Sequence, residues 1–159
     1  MTADNLRLRH MSGPEFEAFR SRTVTEYAAA HVASGDWSAD RAEGHAAEQT
    51  ESLLPEGVDT PGMLLLTAES EQDGVVGLAW VALEHGEKRG AWIYDIEIVP
   101  AQRGKGYGRA LLHAVEQLVI EHGVDRVGLN VFAGNSVARK LYESTGYQAT
   151  SLHMRKTLR

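Results

Sequence analysis

The sequence contains no cysteine. Disulfides, thiolate metal sites and a cysteine nucleophile are thereby excluded. No apolar run approaches the ~18 residues that a membrane-spanning helix requires. The opening, Met1 to Leu8, lacks the apolar core of a signal peptide. A cytoplasmic location and no membrane partner are the expectations. Basic charge is also scarce: 16 Lys and Arg stand against 22 Asp and Glu, a formal net charge of -6. That argues against nucleic acid as a partner, because such binders usually present a basic surface. A cationic substrate fits the acidity, but so does plain solubility, the commoner reason. The seven histidines show no zinc spacing, so no metal is expected. There is no Gly-x-Ser-x-Gly elbow, which argues against a serine hydrolase. Repeats, low-complexity tracts and long linkers are absent too.

What is present is ordinary globular material. The 159 residues, 43% apolar and 24% charged, suit one domain with one core, spanning residues 1–159. Leu6 to His10 alternates like an edge strand. Ser12, Pro14 and Glu15 open a helix with capping-box spacing, running to about Ala33. A second helix is expected after Ser38, a candidate N-cap, ending before Pro55. Met63 to Ala68, Val75 to Leu83 and Ala91 to Val99 read as a three-strand antiparallel meander. Its turns are Gln72-Asp73-Gly74 and Gly86 to Gly90. Gly106 to His122 carries Leu111, Leu112, Val115, Leu118 and Val119 on one helical face, with Gly123 at the C-cap. Val127 to Phe132 is the next strand and Asn135 to Ser144 a short helix. One or two terminal strands follow. The strand–helix–strand crossover makes the strands from Ala91 and Val127 parallel neighbours. The expected class is α/β, a mixed sheet of six or seven strands with about four helices.

The central signal is Arg103-Gly104-Lys105-Gly106-Tyr107-Gly108, between strand and helix. A helix start offers unpaired N–H groups and the positive end of the dipole. Glycines let the backbone approach an anion, and Arg103, Lys105 and Arg109 add positive charge. A pyrophosphate is the natural guest; a bare connecting turn is the bland alternative. The spacing is G-x-G-x-G, not the dinucleotide G-x-G-x-x-G, and Asn130 to Phe132 offers no acidic ribose ligand. Gly-Lys-Ser/Thr of a nucleotide loop is absent.

With these residues the sequence resembles the GNAT superfamily of acyl-CoA N-acyltransferases. The loop matches the family's Q/R-x-x-G-x-G/A motif. Asp95-Ile96-Glu97-Ile98-Val99-Pro100 is similar to its preceding strand. Leu129 to Tyr147, with Asn135, Ala138, Leu141-Tyr142 and Gly146-Tyr147, resembles its following strand and helix. The resemblance is strong from about Gly77 to Tyr147 and weak before Met63. It implies acetyl transfer from acetyl-CoA to an amine by direct attack in a ternary complex. It implies that the backbone of Arg103 to Arg109 (Arg103, Gly104, Lys105, Gly106, Tyr107, Gly108, Arg109) holds the pyrophosphate. The pantetheine arm would pair with Ile96 to Val99 (Ile96, Ile98 and Val99), with the Ile98 N–H on the thioester oxygen. Tyr142 matches the position that faces the coenzyme A sulfur and is the candidate acid; a Tyr packed on the sheet is the alternative. Asn135 matches a residue touching the coenzyme A arm, and is equally a plain N-cap.

Glu97 is the candidate base, through water. Strand alternation points Asp95, Glu97 and Val99 one way and Ile96 and Ile98 the other. A carboxylate in an apolar strand is costly unless it faces a wet cleft. The alternative is a solvated Glu, or one paired with a nearby Arg. Asn130, disfavoured in a strand, hints at a cleft or a structural hydrogen bond. On the acceptor side Asp36, Asp40, Glu43, Glu48, Glu51, Glu56 and Asp59 could hold a cationic amine, or form a solvated face. A homodimer through a terminal strand near Gln148 to Leu158 is compatible with the pattern. The rival function is a catalytically idle domain that senses acyl-CoA. A thioesterase-like activity and a nucleotide-binding protein are more distant readings.

Overall fold

The computed structural model describes residues 5–84 and 90–159. The turn expected at Gly86 to Gly90 falls on residues outside these, Gly90 excepted. The chain forms two compact units, 1–129 and 130–159. The first begins with β1 (Leu6–His10), α1 (Gly13–Ala33) and α2 (Ala42–Leu53). β2 (Met63–Ser70), β3 (Gly74–Ala82) and β4 (Ala91–Ile98) follow, then α3 (Tyr107–Glu121) and β5 (Val127–Leu129). Strand order equals chain order; β1 to β4 are antiparallel and β5 runs parallel to β4.

α1 starts where the capping box predicts. The Ser12 hydroxyl accepts from the Glu15 N–H, and the Glu15 carboxylate accepts from the Ser12 N–H at 2.9 Å. Such a cap contributes about 1 kcal/mol. Phe16 and Phe19 of α1 join Met11, Leu54, Leu65 and Trp80 in a core on one face of the sheet. α1 and α2 meet through Ala28, Ala42 and Ala46, whose small side chains let the two helices approach closely. α3 buries Leu111, Leu112, Val115 and Val119, the stripe read from the sequence, with Leu118 half-buried. It packs against β1, β3 and β4. Fully burying each such aliphatic side chain contributes roughly 1.5–3 kcal/mol.

Four expectations need correction. The described residues hold five strands, not six or seven. β5 stops at Leu129 rather than Phe132, so Asn130, poor in strands, lies beyond it and is exposed. No strand forms over Gln148 to Leu158, where Leu152, Met154 and Leu158 are exposed. A lone strand gains little until it is paired, and this segment has no ladder partner among the described residues. Lastly, α2 begins at Ala42; Ser38 does not cap it, and its carbonyl accepts the Arg41 N–H in the turn before it.

The second unit carries α4 (Ser136–Ser144). Asn135 caps it, its Oδ1 accepting the Ala138 N–H at 3.3 Å. Gly146 follows the helix at φ 102°.

Candidate functional site

The glycine loop leads from the end of β4 into α3. Gly104 and Gly106 adopt φ of 77° and 87°. Those left-handed values require glycine, because a Cβ would clash with the following carbonyl. A Cβ on Gly104 would meet nothing within 4 Å, so the backbone there is open to a close-approaching ligand. Gly106 is the N-cap of α3 and has no side chain to satisfy the first N–H groups. The N–H of Arg103 is already given to the Pro100 carbonyl at 3.3 Å, so the open donors begin after it. Arg103, Lys105 and Arg109 are exposed around this turn. The Arg103 Nε donates to the Ile98 carbonyl at 3.1 Å, tying loop to strand.

Tyr107 departs from the rest of the loop. Its ring is buried, and its hydroxyl donates to Asp73 Oδ2 at 2.6 Å and lies 3.0 Å from Ser70 Oγ. The bond to Asp73 raises its pKa. Its side chain is thus committed to the β2–β3 turn, leaving only its N–H for a ligand. Lys105 Nζ donates to Gln102 at 2.7 Å and lies 3.8 Å from Asp73. Asp73 therefore anchors the loop from another hairpin. The sequence offered it only as a turn residue.

β4 is the second component. β5 pairs with it only from Ala91 to Ile93. Beyond Ile93, that edge has no strand partner among the described residues. Val99 donates its N–H to Val76 of β3. Alternation then aims the N–H groups of Ile96 and Ile98 away from β3, toward the open edge. An extended chain can hydrogen-bond there as an added strand. On the opposite edge Gly77 lets β3 and β4 approach closely: a Cβ on it would lie 2.4 Å from the Glu97 carbonyl.

A bulge sets the side chains of this strand. Trp80 pairs with Asp95 and Val81 with Ile93, leaving Tyr94 as the extra residue. Tyr94 stacks on Trp80 at 4.5 Å. Asp95 and Glu97, opposite Trp80 and Leu78, share this face with α1. Arg22 of α1 reaches Glu97 at 3.1 Å and Glu26 at 3.9 Å. Glu97 is therefore the Arg-paired carboxylate that the sequence left as an alternative. Asp95 is pushed up to about 7, first by burial, then by the charges of Glu97 and Glu26, with Arg22 opposing. Glu26 is also raised, mainly by burial. Sequence reasoning noticed Asp95 only for its direction.

The seven acceptor-side carboxylates, from Asp36 to Asp59, are all exposed, as a solvated face would be. Asp36 bonds to His31 Nδ1 at 3.1 Å and accepts from Ser34. His31 stacks on Trp37 at 4.1 Å, closing the α1–α2 loop. In the second unit Tyr142 is half-buried, its ring 5.7 Å from that of Tyr147. Asn135 is committed as a cap through Oδ1, which leaves its amide nitrogen as a donor. No helix among the described residues is long and apolar enough to cross a membrane.

Known proteins share both the sequence and the arrangement. The chain is 35% identical over 155 residues to the uncharacterized N-acetyltransferase YycN of Bacillus subtilis, covering 96% of this chain and 99% of that protein. It is 33% identical to the uncharacterized N-acetyltransferase YdgE of the same organism, covering 95% and 97%. The crystal structure of YycN superposes with a TM-score of 0.90 at 34% identity, covering 97% of this chain and 99% of that one. The fold extends to AAC(6')-Iy, solved with a bisubstrate analogue of coenzyme A, at 16% identity and a TM-score of 0.61, covering 98% and 99%. With the acetyltransferase (GNAT) family profile matching residues 26–147, the chain belongs to the GNAT acetyltransferase family.

Proposed function

We propose that the protein is an N-acetyltransferase, one domain over residues 1–159, that moves an acetyl group from acetyl-CoA to an amine in a ternary complex. The observation that carries this reading is the open backbone of Gly104 to Gly108 beside the unpartnered edge of β4. Both features suit one elongated cosubstrate with a pyrophosphate at one end and an amide-bearing arm at the other. In this reading the N–H groups of the loop and the charges of Arg103, Lys105 and Arg109 bind the pyrophosphate. Ile96, Ile98 and Val99 align the pantetheine arm, and the Ile98 N–H polarises the thioester carbonyl. Asn135 contributes its amide to the arm.

The amine attacks in its neutral form, so its proton must go elsewhere. Glu97 takes it through water. Tyr142 protonates the departing thiolate; because a thiolate is already a fair leaving group, this contribution is modest. The cytoplasm, where acetyl-CoA is available, is the proposed location, and a second copy of the chain is the proposed partner of the C-terminal segment that exposes Leu152, Met154 and Leu158. Sedimentation would test the dimer.

The first test is thermal stability with acetyl-CoA, coenzyme A, ATP and NAD in parallel. A ligand at 100 times its Kd stabilises the native state by about 2.7 kcal/mol. A rise with the two coenzyme A species alone supports the reading; no rise at saturation sinks it. Thiol release is then measured with a diamine, an aminoglycoside, an amino-acid amide and a lysine peptide. Coenzyme A binding without thiol release from any of them would favour an acyl-CoA sensor instead.

A further inference from the structure

The glycines that open the loop to a ligand also leave it with no side chain of their own to fix it. Gly104 and Gly106 lie at φ 77° and 87°, and glycine loses more freedom on ordering than any other residue. A loop that must be ordered at the moment of binding gives up affinity. Two tethers from outside offset this cost. On the strand side the Arg103 Nε donates to the Ile98 carbonyl at 3.1 Å. On the helix side the tether comes from the β2–β3 turn, where Asp73 lies 34 positions from Tyr107 in the chain.

The hydrogen bonds of this second tether close on one arrangement. Ser70 Oγ accepts the N–H groups of Gln72 at 3.1 Å and Asp73 at 3.2 Å, which fills its acceptor sites. Its own proton therefore goes to the Tyr107 hydroxyl, 3.0 Å away. Tyr107 in turn gives its proton to Asp73 Oδ2 at 2.6 Å. The relay of donors ends on a carboxylate, the stronger kind of acceptor. The Tyr107 ring is buried at the first position of α3, next to the N-cap Gly106. The network thus fixes the helix start that carries the open N–H groups. The same Asp73 oxygen stands 3.8 Å from Lys105 Nζ, which Gln102 also holds at 2.7 Å. One carboxylate governs both a backbone end and a cation of the loop.

We propose that Asp73 is a positioning residue for the cosubstrate: through Tyr107 it holds the glycine loop ready for its ligand, and so sets the affinity for the pyrophosphate of acetyl-CoA. The inference rests on the acetyl-transfer reading. Simple electrostatics makes the opposite demand. A carboxylate beside an anion-binding loop repels the anion, so deleting its charge alone should tighten binding. Positioning requires weaker binding in any variant that loses the hydrogen bond.

The test is calorimetric titration of the whole chain with coenzyme A. It compares the native protein, Asp73→Ala, Asp73→Asn, Tyr107→Phe and the double variant of Asp73→Ala with Tyr107→Phe. Loss of the hydrogen bond should weaken binding about tenfold in Asp73→Ala and in Tyr107→Phe. The double variant should be no weaker than either alone, because both changes remove one interaction. Asp73→Asn keeps an oxygen acceptor for Tyr107 without the charge, so it should bind at least as tightly as the native chain. Tyr107→Phe keeps the buried ring, which guards the result against a folding defect in Asp73→Ala. In thiol release with an active acceptor, Asp73→Ala should raise KM for acetyl-CoA more than it lowers kcat. The ratio of kcat/KM for acetyl-CoA over S-acetylpantetheine, which lacks the pyrophosphate, should fall about tenfold. Native or tighter binding in Asp73→Ala and Tyr107→Phe overturns the proposal. So does an equal loss with both donors, the mark of a general structural defect. Failure of the native chain itself to bind coenzyme A would instead sink the acetyltransferase reading, and the proposal with it.

Discussion

Glu15 and Asp95 are both partly shielded carboxylates near α1, and they lie at opposite ends of the titration range. Glu15 accepts from Arg9 at 2.7 and 3.1 Å, from the Ser12 N–H and from Thr67 Oγ1 at 3.0 Å. Its pKa is lowered to about 2, chiefly by Arg9 and then by the Ser12 N–H. Arg9 is shared with Glu69 at 2.8 Å and is held more firmly protonated in turn. Asp95 is raised to about 7, mainly by burial. The difference lies in the donors. Four donors converge on Glu15, so its charged form is solvated by protein. Arg22, the cation that opposes the rise at Asp95, is engaged by Glu97 and Glu26, so the charge of Asp95 is solvated poorly and repelled. The first arrangement holds a charge in place; the second leaves a carboxylate whose charged form the fold disfavours.

Breaking the second region should have the larger effect. Glu97→Gln should lower kcat/KM by about one to two orders of magnitude, roughly 1.4–2.7 kcal/mol of barrier, measured by thiol release at pH 8. Glu15→Gln should cost about 2 kcal/mol in urea unfolding at pH 7, after discounting for its partial exposure. The sign follows from the lowered pKa. Glu15 stabilises the fold above its unfolded value of 4.5, and this is lost as pH falls toward 2. The penalty of Glu15→Gln should therefore shrink below pH 4.5.

Asp95 has the opposite sign. A raised folded pKa favours the fold at low pH, and that advantage disappears as pH rises from 3.8 through about 7. Asp95→Asn should thus be more stable than the native chain by about 1–2 kcal/mol at pH 8, with no such advantage at pH 3.5. A stabilised variant would sharpen the contrast with Glu15. A destabilised one at pH 8 would erase it. Gly77→Ala tests the strand beneath both Asp95 and Glu97. Its Cβ would press on the Glu97 carbonyl, and a loss of about 1–2 kcal/mol is expected in the same unfolding assay. The smallest effect should come from Tyr142→Phe, which slows turnover by no more than about tenfold without altering acetyl-CoA affinity.

Much of the molecule was legible because its signals are local. The capping box at Ser12 and Glu15 joins residues three apart, and it formed as written. The apolar stripe of α3 and the glycine loop are equally short-range, and both appear where the spacing put them. Asn130 to Phe132 failed as strand because apolar content alone does not supply a partner. The alternation of β4 correctly grouped Asp95 with Glu97, but gave no sign of the bulge that sets Asp95 against Trp80. Asp73 was read as a turn residue, since its bond to Tyr107 spans 34 positions.

By itself, then, the sequence determined the order of elements through α4, the glycine turn that opens α3 and the family, all carried by residues that are neighbours along the chain. Only the tertiary structure decided which carboxylate is paired. Arg22 and Glu97 are 75 residues apart, and nothing in local spacing indicates that α1 delivers its arginine to Glu97 and Glu26. A carboxylate's proton affinity depends on its distance from cations and on its exclusion from water. Both are properties of packed elements, which no window of sequence contains.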